Sequence, residues 1–338
     1  MTVFVSGATG VFGHRIVDRL AAAGYDVLGL TRERSGAAII EANGGEPVQA
    51  DLLDSAELDD ALAGYDIDVV VHAATRLPPE TKTTAEYWER NGRVRRAGAR
   101  NLLGAVGDTL DQFLFPSVVW VARQPDGSAF DETATRHPDR STQSAADVED
   151  LLAEASERHA LDATILRTGF FYGPDGRHTR LFAENLLAGD LPIVGGGALG
   201  RRDAELSLLH LNDAADAVRA AVETGVGGCY HVVDERPVEL GTYLTTFAEL
   251  LDAPAPRRIP WWLARPLAGK DMVRFLTNSF PTTNERFREA TGWEPRYRTY
   301  RDGLEQIVER WSQNGTLAAL EADADADTTV PSYREPVV

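Results

Sequence analysis

Three glycines near the start of the chain have the spacing of a phosphate-binding turn. Gly7, Gly10 and Gly13 stand between a short apolar segment at residues 3–6 and a segment with helical apolar spacing. Glycine lets the backbone approach a phosphate closely, and the unpaired N–H groups of a helix N-terminus attract an anion. The pattern therefore predicts a strand, a turn and a helix that bind the pyrophosphate of a dinucleotide. The predicted contacts are Gly7, Thr9, Gly10, Val11, Phe12 and Gly13.

A basic residue follows the second predicted strand, at residues 27–30. An acidic side chain at this place suits the ribose 2′-hydroxyl of NAD, whereas arginine suits the 2′-phosphate of NADP. Arg32 occupies the place, and the first acidic residue after the strand is Glu33. Because a guanidinium can meet a phosphate through two parallel hydrogen bonds, we predict that NADP(H) is preferred to NAD(H) and that Arg32 binds the 2′-phosphate.

The elements that must position these residues alternate between strands and helices along the first half of the chain. This alternation predicts an α/β protein, with a Rossmann-type doubly wound parallel sheet over residues 1–167. After that point the spacing changes to short elements, which predict a smaller C-terminal substrate lobe at 168–320, part of it returning to the first domain. Residues 321–338 begin with alternating alanine and aspartate, and we predict a disordered acidic tail there.

Several motifs, in order and spacing, resemble those of the extended short-chain dehydrogenase/reductase family. They are the glycine turn from Ser6 to Gly13, Asp51-Leu52, His72 to Thr75, Arg167 to Pro174, His210 to Asp213, and Gly292 to Pro295. The resemblance implies that Asp51 and Leu52 flank the adenine. It adds further cofactor contacts at Ala73, Ala74, Thr75, Thr168, Gly169, Phe170 and Phe171.

The family also implies a catalytic Tyr-x-x-x-Lys pair on a helix, in which the tyrosine gives a proton to the carbonyl oxygen and the lysine lowers the tyrosine pKa. This chain has no such pair: Lys82 and Lys270 are its only lysines, and each has proline four residues before it. Aligning the helix on residues 147–152 puts Ser141 at the tyrosine position and Ala145 at the lysine position.

Two serines remain as catalytic candidates. Ser117 falls where the family has its serine, and Ser141 stands at the tyrosine position. An ordinary serine hydroxyl is too weak an acid to replace tyrosine, but it can donate a hydrogen bond. We therefore expect both serines to orient a carbonyl and not to supply the proton. The helix before them has Arg95 where the family often has asparagine, with Asn91 one turn away.

These features predict an NADPH-dependent ketoreductase whose substrate supplies its own proton. A phenol beside the ketone can do so, as in a bulky aromatic polyketide. In lacking the Tyr-Lys pair, the chain resembles atypical family members from polyketide antibiotic pathways. Two other interpretations remain open. The chain could be a non-redox epimerase, dehydratase or isomerase, or an NADP-binding sensor without catalysis.

Composition limits the partners. The chain has 34 basic and 52 acidic residues and a formal charge of −18, which disfavours nucleic acid and anionic membranes and leaves a small-molecule substrate. Cys229 is the only cysteine, so there is no internal disulfide, and we predict no metal site. The short first apolar segment does not resemble a signal peptide, so we expect a cytoplasmic protein.

The predicted helix at residues 86–106 bears on the oligomeric state. Family members often pair through this helix and the predicted one at 145–159. Arg93, Arg95 and Arg96 on the first helix would disturb an apolar contact of that kind. We therefore predict a monomer or a weak dimer.

Overall fold

A seven-stranded parallel sheet forms the centre of the fold. The computed structural model describes residues 1–76, 84–106, 110–158, 161–194, 203–260, 262 and 277–328. The strands of the sheet are β1 (Thr2–Ser6), β2 (Asp26–Thr31), β3 (Glu46–Gln49), β4 (Val69–His72), β5 (Gln112–Val118), β6 (Asp162–Thr168) and β11 (Gly228–Val232). Their order is β11-β6-β5-β4-β1-β2-β3, and every pairing is parallel.

Helices cover both faces of this sheet, which explains its continuous apolar strands. They are α1 (Gly13–Ala22), α2 (Arg34–Ala42), α3 (Ser55–Leu62), α4 (Ala85–Val106) and α5 (Gln143–Arg158). Along β1, Val3 and Val5 belong to a core shared with α1, whereas Phe4 belongs to a core shared with α3, α4 and α5. The chain order reverses between β1 and β4. The predicted Rossmann-type sheet is thus confirmed, and its switch point lies where such sheets bind ligands.

The later part of the chain forms a lobe of short strand pairs and helices. Its strands are β7 (Phe170–Tyr172), β8 (Ile193–Val194), β9 (Glu205–Leu206), β10 (Leu208–His210), β12 (Val238–Glu239) and β13 (Arg258–Ile259). Its helices are α6 (Arg177–Leu187), α7 (Leu211–Thr224), α8 (Leu240–Leu250), α9 (Glu285–Thr291), α10 (Tyr300–Gln313) and α11 (Thr316–Thr328). A separate core that includes Phe247 and Trp311 holds the lobe together, while β11 and α7 pack with the sheet domain.

The acidic tail differs from the prediction over its first eight residues. Helix α11 runs through them to Thr328, whereas the composition predicts disorder from residue 321. Alanine is the strongest helix former and alternates here with aspartate, and Leu320 anchors the start of the helix in the core of the lobe. The rest of the predicted tail, residues 329–338, lies outside the described residues.

Two kinds of feature are absent from the described ranges. No helix there combines the length and apolar character needed to cross a bilayer. No three His, Cys, Asp or Glu side chains of those ranges are grouped closely enough to hold a metal ion.

Candidate active site

The glycine turn lies across the carboxyl end of β4. Gly7 has φ of +79°, and a Cβ atom on it would stand 2.7 Å from the backbone nitrogen of Ala74. A Cβ atom on Gly13 would stand 1.9 Å from the carbonyl oxygen of Gly7, a distance that no alanine can adopt. The turn, the start of α1 and residues 73–74 therefore form one cradle, as the phosphate-binding interpretation requires.

Of the predicted contacts from β6 and β7, Phe171 lies against the cradle and the other three pack elsewhere. The rings of Phe12 and Phe171 have centroids 5.0 Å apart. The Thr168 hydroxyl donates to the carbonyl oxygen of Ser117 at 2.9 Å. Gly169 lies so close to β10 that a Cβ atom on it would stand 2.7 Å from the Ser207 carbonyl oxygen. Phe170 packs against the core of the C-terminal lobe and against His178, with ring centroids 5.4 Å apart.

The residues predicted beside the adenine lie after β3. Leu52 is buried and its carbonyl oxygen accepts a hydrogen bond from the Asn101 side chain at 2.9 Å. The Asp51 carboxylate accepts from the Leu53 backbone nitrogen at 2.9 Å, so the turn that carries both residues is fixed. Thr75, the last of the predicted contacts after β4, is exposed.

Arg32 is an exposed cation next to the end of β2. Across the described ranges its side chain has no hydrogen-bond or ion-pair partner. Sequence reasoning missed Gly36 in α2, where a Cβ atom would stand 2.1 Å from Thr31 Oγ1 and 2.9 Å from Thr9 Cγ2. This close approach lets the start of α2 lie beside the glycine turn. The glycine cradle fits the pyrophosphate of a nicotinamide dinucleotide, and Arg32 stays the predicted contact of a 2′-phosphate.

Ser117 belongs to a buried ionic network. It is 1% exposed, and its hydroxyl donates to Glu149 Oε1 at 2.5 Å. Glu149 of α5 also accepts from Arg167 Nε at 3.1 Å and Nη2 at 2.7 Å, and Arg136 pairs with it at 3.2 Å. In this arrangement the Ser117 hydroxyl points toward Glu149, and its predicted role toward a substrate carbonyl stays a prediction.

Ser141 is also engaged within the protein. It is half-buried, and its hydroxyl donates to Asp139 Oδ1 at 2.6 Å. The other carboxylate oxygen of Asp139 pairs with Arg123 at 2.9 Å. Sequence reasoning did not find Asp139, whose only signal was its place two residues before Ser141. The two predicted catalytic serines therefore use their hydroxyl protons in separate internal hydrogen bonds.

His72 is a neutral structural residue at the end of β4. Its Nε2 donates to the Arg95 carbonyl oxygen at 3.0 Å, and its Nδ1 accepts from the Ser6 hydroxyl at 2.7 Å. This tautomer follows because a carbonyl oxygen can only accept. Complete burial lowers the His72 pKa to about 4, so the ring ties β1, β4 and α4 together without supplying protons at neutral pH.

The three arginines of α4 do not share one face, which corrects the prediction for Arg95. Arg93 is exposed, and Arg96 pairs with Asp147 at 3.1 Å and Glu89 at 3.2 Å. Arg95 is only 6% exposed, because its guanidinium points toward Ser144 of α5. One of the three arginines is thus absent from the outer surface, and the oligomeric state stays a prediction.

A cavity of about 360 Å³ opens between the first turns of α4 and α5. Both turns stand at the carboxyl edge of the sheet, since each helix follows a parallel strand. The wall contains an aromatic ring, Trp88, together with Pro138, Arg140 and Ser144. The rest of the wall is mostly polar, with Glu89, Arg96, Asp139 and Gln143, so only the volume lies in the range of small-molecule sites.

Comparison with known proteins places the chain in a family. The model of the NAD dependent epimerase/dehydratase family matches residues 3–233. The chain is 35% identical over 314 residues to a 3-diazoavenalumate denitrifying reductase of Streptomyces sp, covering 90% of this chain and 99% of that protein. It is 28% identical to a 4-hydroxy-2-methyl-3-oxo-4-farnesyl-3,4-dihydroquinoline-1-oxide ketoreductase of Stigmatella aurantiaca, over 82% of each chain.

A solved structure gives the same result for the fold. The UDP-glucose 4-epimerase of Thermus thermophilus, in complex with NAD, is similar with a TM-score of 0.75 and 23% identity, over 92% of this chain and 99% of that one. The glycine cradle, the parallel sheet and these matches agree, and the chain belongs to the NAD dependent epimerase/dehydratase family.

Proposed function

We propose that this protein is an NADPH-dependent reductase of a bulky aromatic ketone that carries a phenol beside its carbonyl, of the angucyclinone-like polyketide type found in antibiotic biosynthesis. One observation carries the proposal: the dinucleotide cradle is complete, whereas the hydroxyl protons of Ser117 and Ser141 are both used inside the protein. Because neither serine is an acid strong enough to replace the missing tyrosine, we infer that the substrate supplies the proton. The names of the two relatives, both reductases, support this direction.

The chemistry divides between the substrate, the cofactor and the protein. A bound reduced nicotinamide supplies the hydride. The phenol of the substrate gives its proton to the carbonyl oxygen, and the phenolate then takes a proton from water. One ketone, one NADPH and one proton thus give one secondary alcohol and one NADP⁺. The protein holds the reactants: the glycine turn binds the pyrophosphate, and the cavity beside Trp88 positions the aromatic substrate.

A related reaction is a second candidate, favoured by the relative that matches over 99% of its length. An aryl diazonium ion that accepts a hydride becomes an arene and releases N₂. This reaction balances without any proton, so it also needs no Tyr-Lys pair. The same cradle and cavity would serve it.

The first experiment follows NADPH oxidation with three matched aromatic substrates: a ketone with a neighbouring phenol, its methyl ether, and an aryl diazonium salt that carries a phenol. We expect the phenolic ketone to turn over at least about 100-fold faster than the ether, the contribution typical of a positioned acid. Equal rates for phenol and ether would overturn the proton assignment. Reaction of the diazonium salt alone, with N₂ release, would replace the first candidate by the second.

The cofactor preference has its own test. Arg32→Ala should weaken NADPH binding by at least about tenfold, since a charge-assisted contact contributes about 1.5–3 kcal/mol, and it should leave NADH binding nearly unchanged. Calorimetric titration with both cofactors measures the difference. Arg100→Ala, which removes an exposed arginine from α4, is the charge-matched control. Equal losses for the two cofactors would contradict a role at the 2′-phosphate.

A further inference from the structure

Two buried hydrogen-bond donors on α4 lack acceptors. Asn91 and Arg95 are one helical turn apart and so share a face. The Asn91 side-chain nitrogen and the Arg95 Nε atom are both buried without a hydrogen-bond partner in the part of the chain that the structure describes. Buried polar groups in folded proteins almost always have partners, so two adjacent orphans suggest that the acceptor is a ligand.

Arg95 is a buried cation without a counter-charge among the described residues. The one hydrogen bond that its side chain makes there is from Nη1 to the Ser144 hydroxyl, at 3.4 Å. The nearby carboxylates of α4 and α5, Glu89 and Asp147, pair with Arg96 instead. Burial without an anion lowers the Arg95 pKa to about 10. A charge that is buried without a counter-charge lowers the free energy of unfolding, and a bound anion would offset that loss.

The orientation of Asn91 is fixed by the loop after β4. The Asn91 side-chain oxygen accepts from the backbone nitrogen of Arg76 at 2.7 Å. The amide therefore presents its nitrogen as the free donor, and Asn91 is completely buried. This hydrogen bond places the donor pair beside the carboxyl end of β4.

One residue, Ser144, links the donor pair to the proposed substrate site. Ser144 contacts Arg95 and also lines the cavity beside Trp88. The next residue, Ala145, occupies the position at which the family resemblance implies a lysine. Arg95 therefore brings a positive charge from α4 to the region where α5 lacks one.

We propose that Asn91 and Arg95 bind an oxyanion of the aromatic substrate, which in the proposed reaction is the phenolate left when the phenol gives up its proton. The inference rests on the proposed function for the identity of the anion. The guanidinium stabilises the negative charge that remains on the phenol oxygen until water returns a proton, and the amide nitrogen of Asn91 adds a second hydrogen bond. This arrangement makes the phenol a stronger acid inside the protein than in water.

The test measures binding without turnover. The probe is 1-hydroxy-2-acetonaphthone, whose absorbance shifts when its phenol ionises, titrated with pH in the presence of the protein and NADP⁺. We expect the pKa of the bound phenol to fall by about 1–3 units, the effect of an opposite charge at contact distance. Arg95→Met should abolish the fall. Arg93→Met, which removes an exposed arginine from the same helix, should preserve it.

A second variant changes the site without removing the arginine. Asn91→Asp keeps the acceptor for the Arg76 nitrogen and puts a carboxylate one turn from Arg95, so it should also abolish the fall in the phenol pKa. A bound phenol pKa equal to that of the free probe in the native protein, or no absorbance change on adding protein, would overturn the inference. A lowered pKa that survives both variants would do the same.

Two further measurements distinguish phenolate binding by Arg95 from a structural role and from cofactor binding. Removing an unpaired buried charge should leave the free energy of unfolding of Arg95→Met equal to or above that of the native protein; a clear fall would make Arg95 a structural residue. NADPH affinity should stay within about twofold, and a tenfold loss would assign the arginine to the cofactor. The phenolate shift needs no reduction, so it can hold even if the ketones are not reduced.

Discussion

Gly13→Ala should reduce NADPH affinity by more than about 100-fold. The added Cβ atom would stand 1.9 Å from the Gly7 carbonyl oxygen and 2.7 Å from its carbonyl carbon. Both are backbone atoms of the phosphate cradle, so the clash can only be relieved by moving the turn, and overpacking of this kind costs about 1–3 kcal/mol or more. Calorimetry with NADPH measures the affinity, and circular dichroism shows whether the helices remain.

Alanine variants of two other glycines serve as controls for the Gly13→Ala variant. In Gly10→Ala the Cβ atom would stand 3.2 Å from the Gly7 carbonyl oxygen, so a smaller loss is expected. In Gly64→Ala nothing lies within 4 Å of the Cβ atom, and no change in affinity is expected. The prediction is wrong if a folded Gly13→Ala protein binds NADPH as well as the Gly64→Ala protein does.

Glu149→Leu should destabilise the protein by about 3–5 kcal/mol, the usual result of removing one partner of a buried ion pair. Glu149 is 3% exposed and Arg167 is 5% exposed. The variant would leave the Arg167 guanidinium buried without its bidentate carboxylate, and the Ser117 hydroxyl without its acceptor. Urea unfolding at neutral pH measures the free energy of unfolding.

The double variant Glu149→Leu, Arg167→Met separates the charge from the packing. Replacing a buried ion pair by apolar side chains of similar size is often neutral, so the double variant should recover most of the lost stability. Arg136 has a second carboxylate partner in Asp150, so it is not left unpaired. A double variant as unstable as the sum of its single variants would show that the pair does not act as a unit.

For the two predicted catalytic serines, the sequence indicated their positions but not their hydrogen-bond partners. The motif spacing placed both serines close to the elements that the structure shows, since Ser117 is the second-last residue of β5 and Ser141 precedes α5. It could not show that Glu149, eight residues after Ser141, accepts the Ser117 hydrogen bond across 32 positions of sequence. A hydrogen bond of that range depends on how α5 packs on β5, and no local pattern encodes it.

The burial of Arg95 in α4 also depends on tertiary packing. Arg93, Arg95 and Arg96 look alike in the sequence, and helical spacing alone could not tell which of them faces inward. The glycine at position 98 lets α4 approach the end of β4, because a Cβ atom there would stand 2.7 Å from Leu52 Cδ2 and 2.9 Å from the His72 ring. That close packing buries Arg95 while its neighbours remain in solvent or in ion pairs.

The parallel sheet and the glycine turn could be predicted from the amino-acid sequence, because both depend on local patterns: apolar strands alternating with helices, and glycines at fixed spacing before a helix. The sequence also determined that no Tyr-x-x-x-Lys pair exists. Which polar side chains pair across the fold became visible in the packed structure. The Ser117 hydroxyl donates to Glu149, while Asn91 and Arg95 have donors without partners among the described residues. Pairings of this kind depend on contacts between elements distant in sequence.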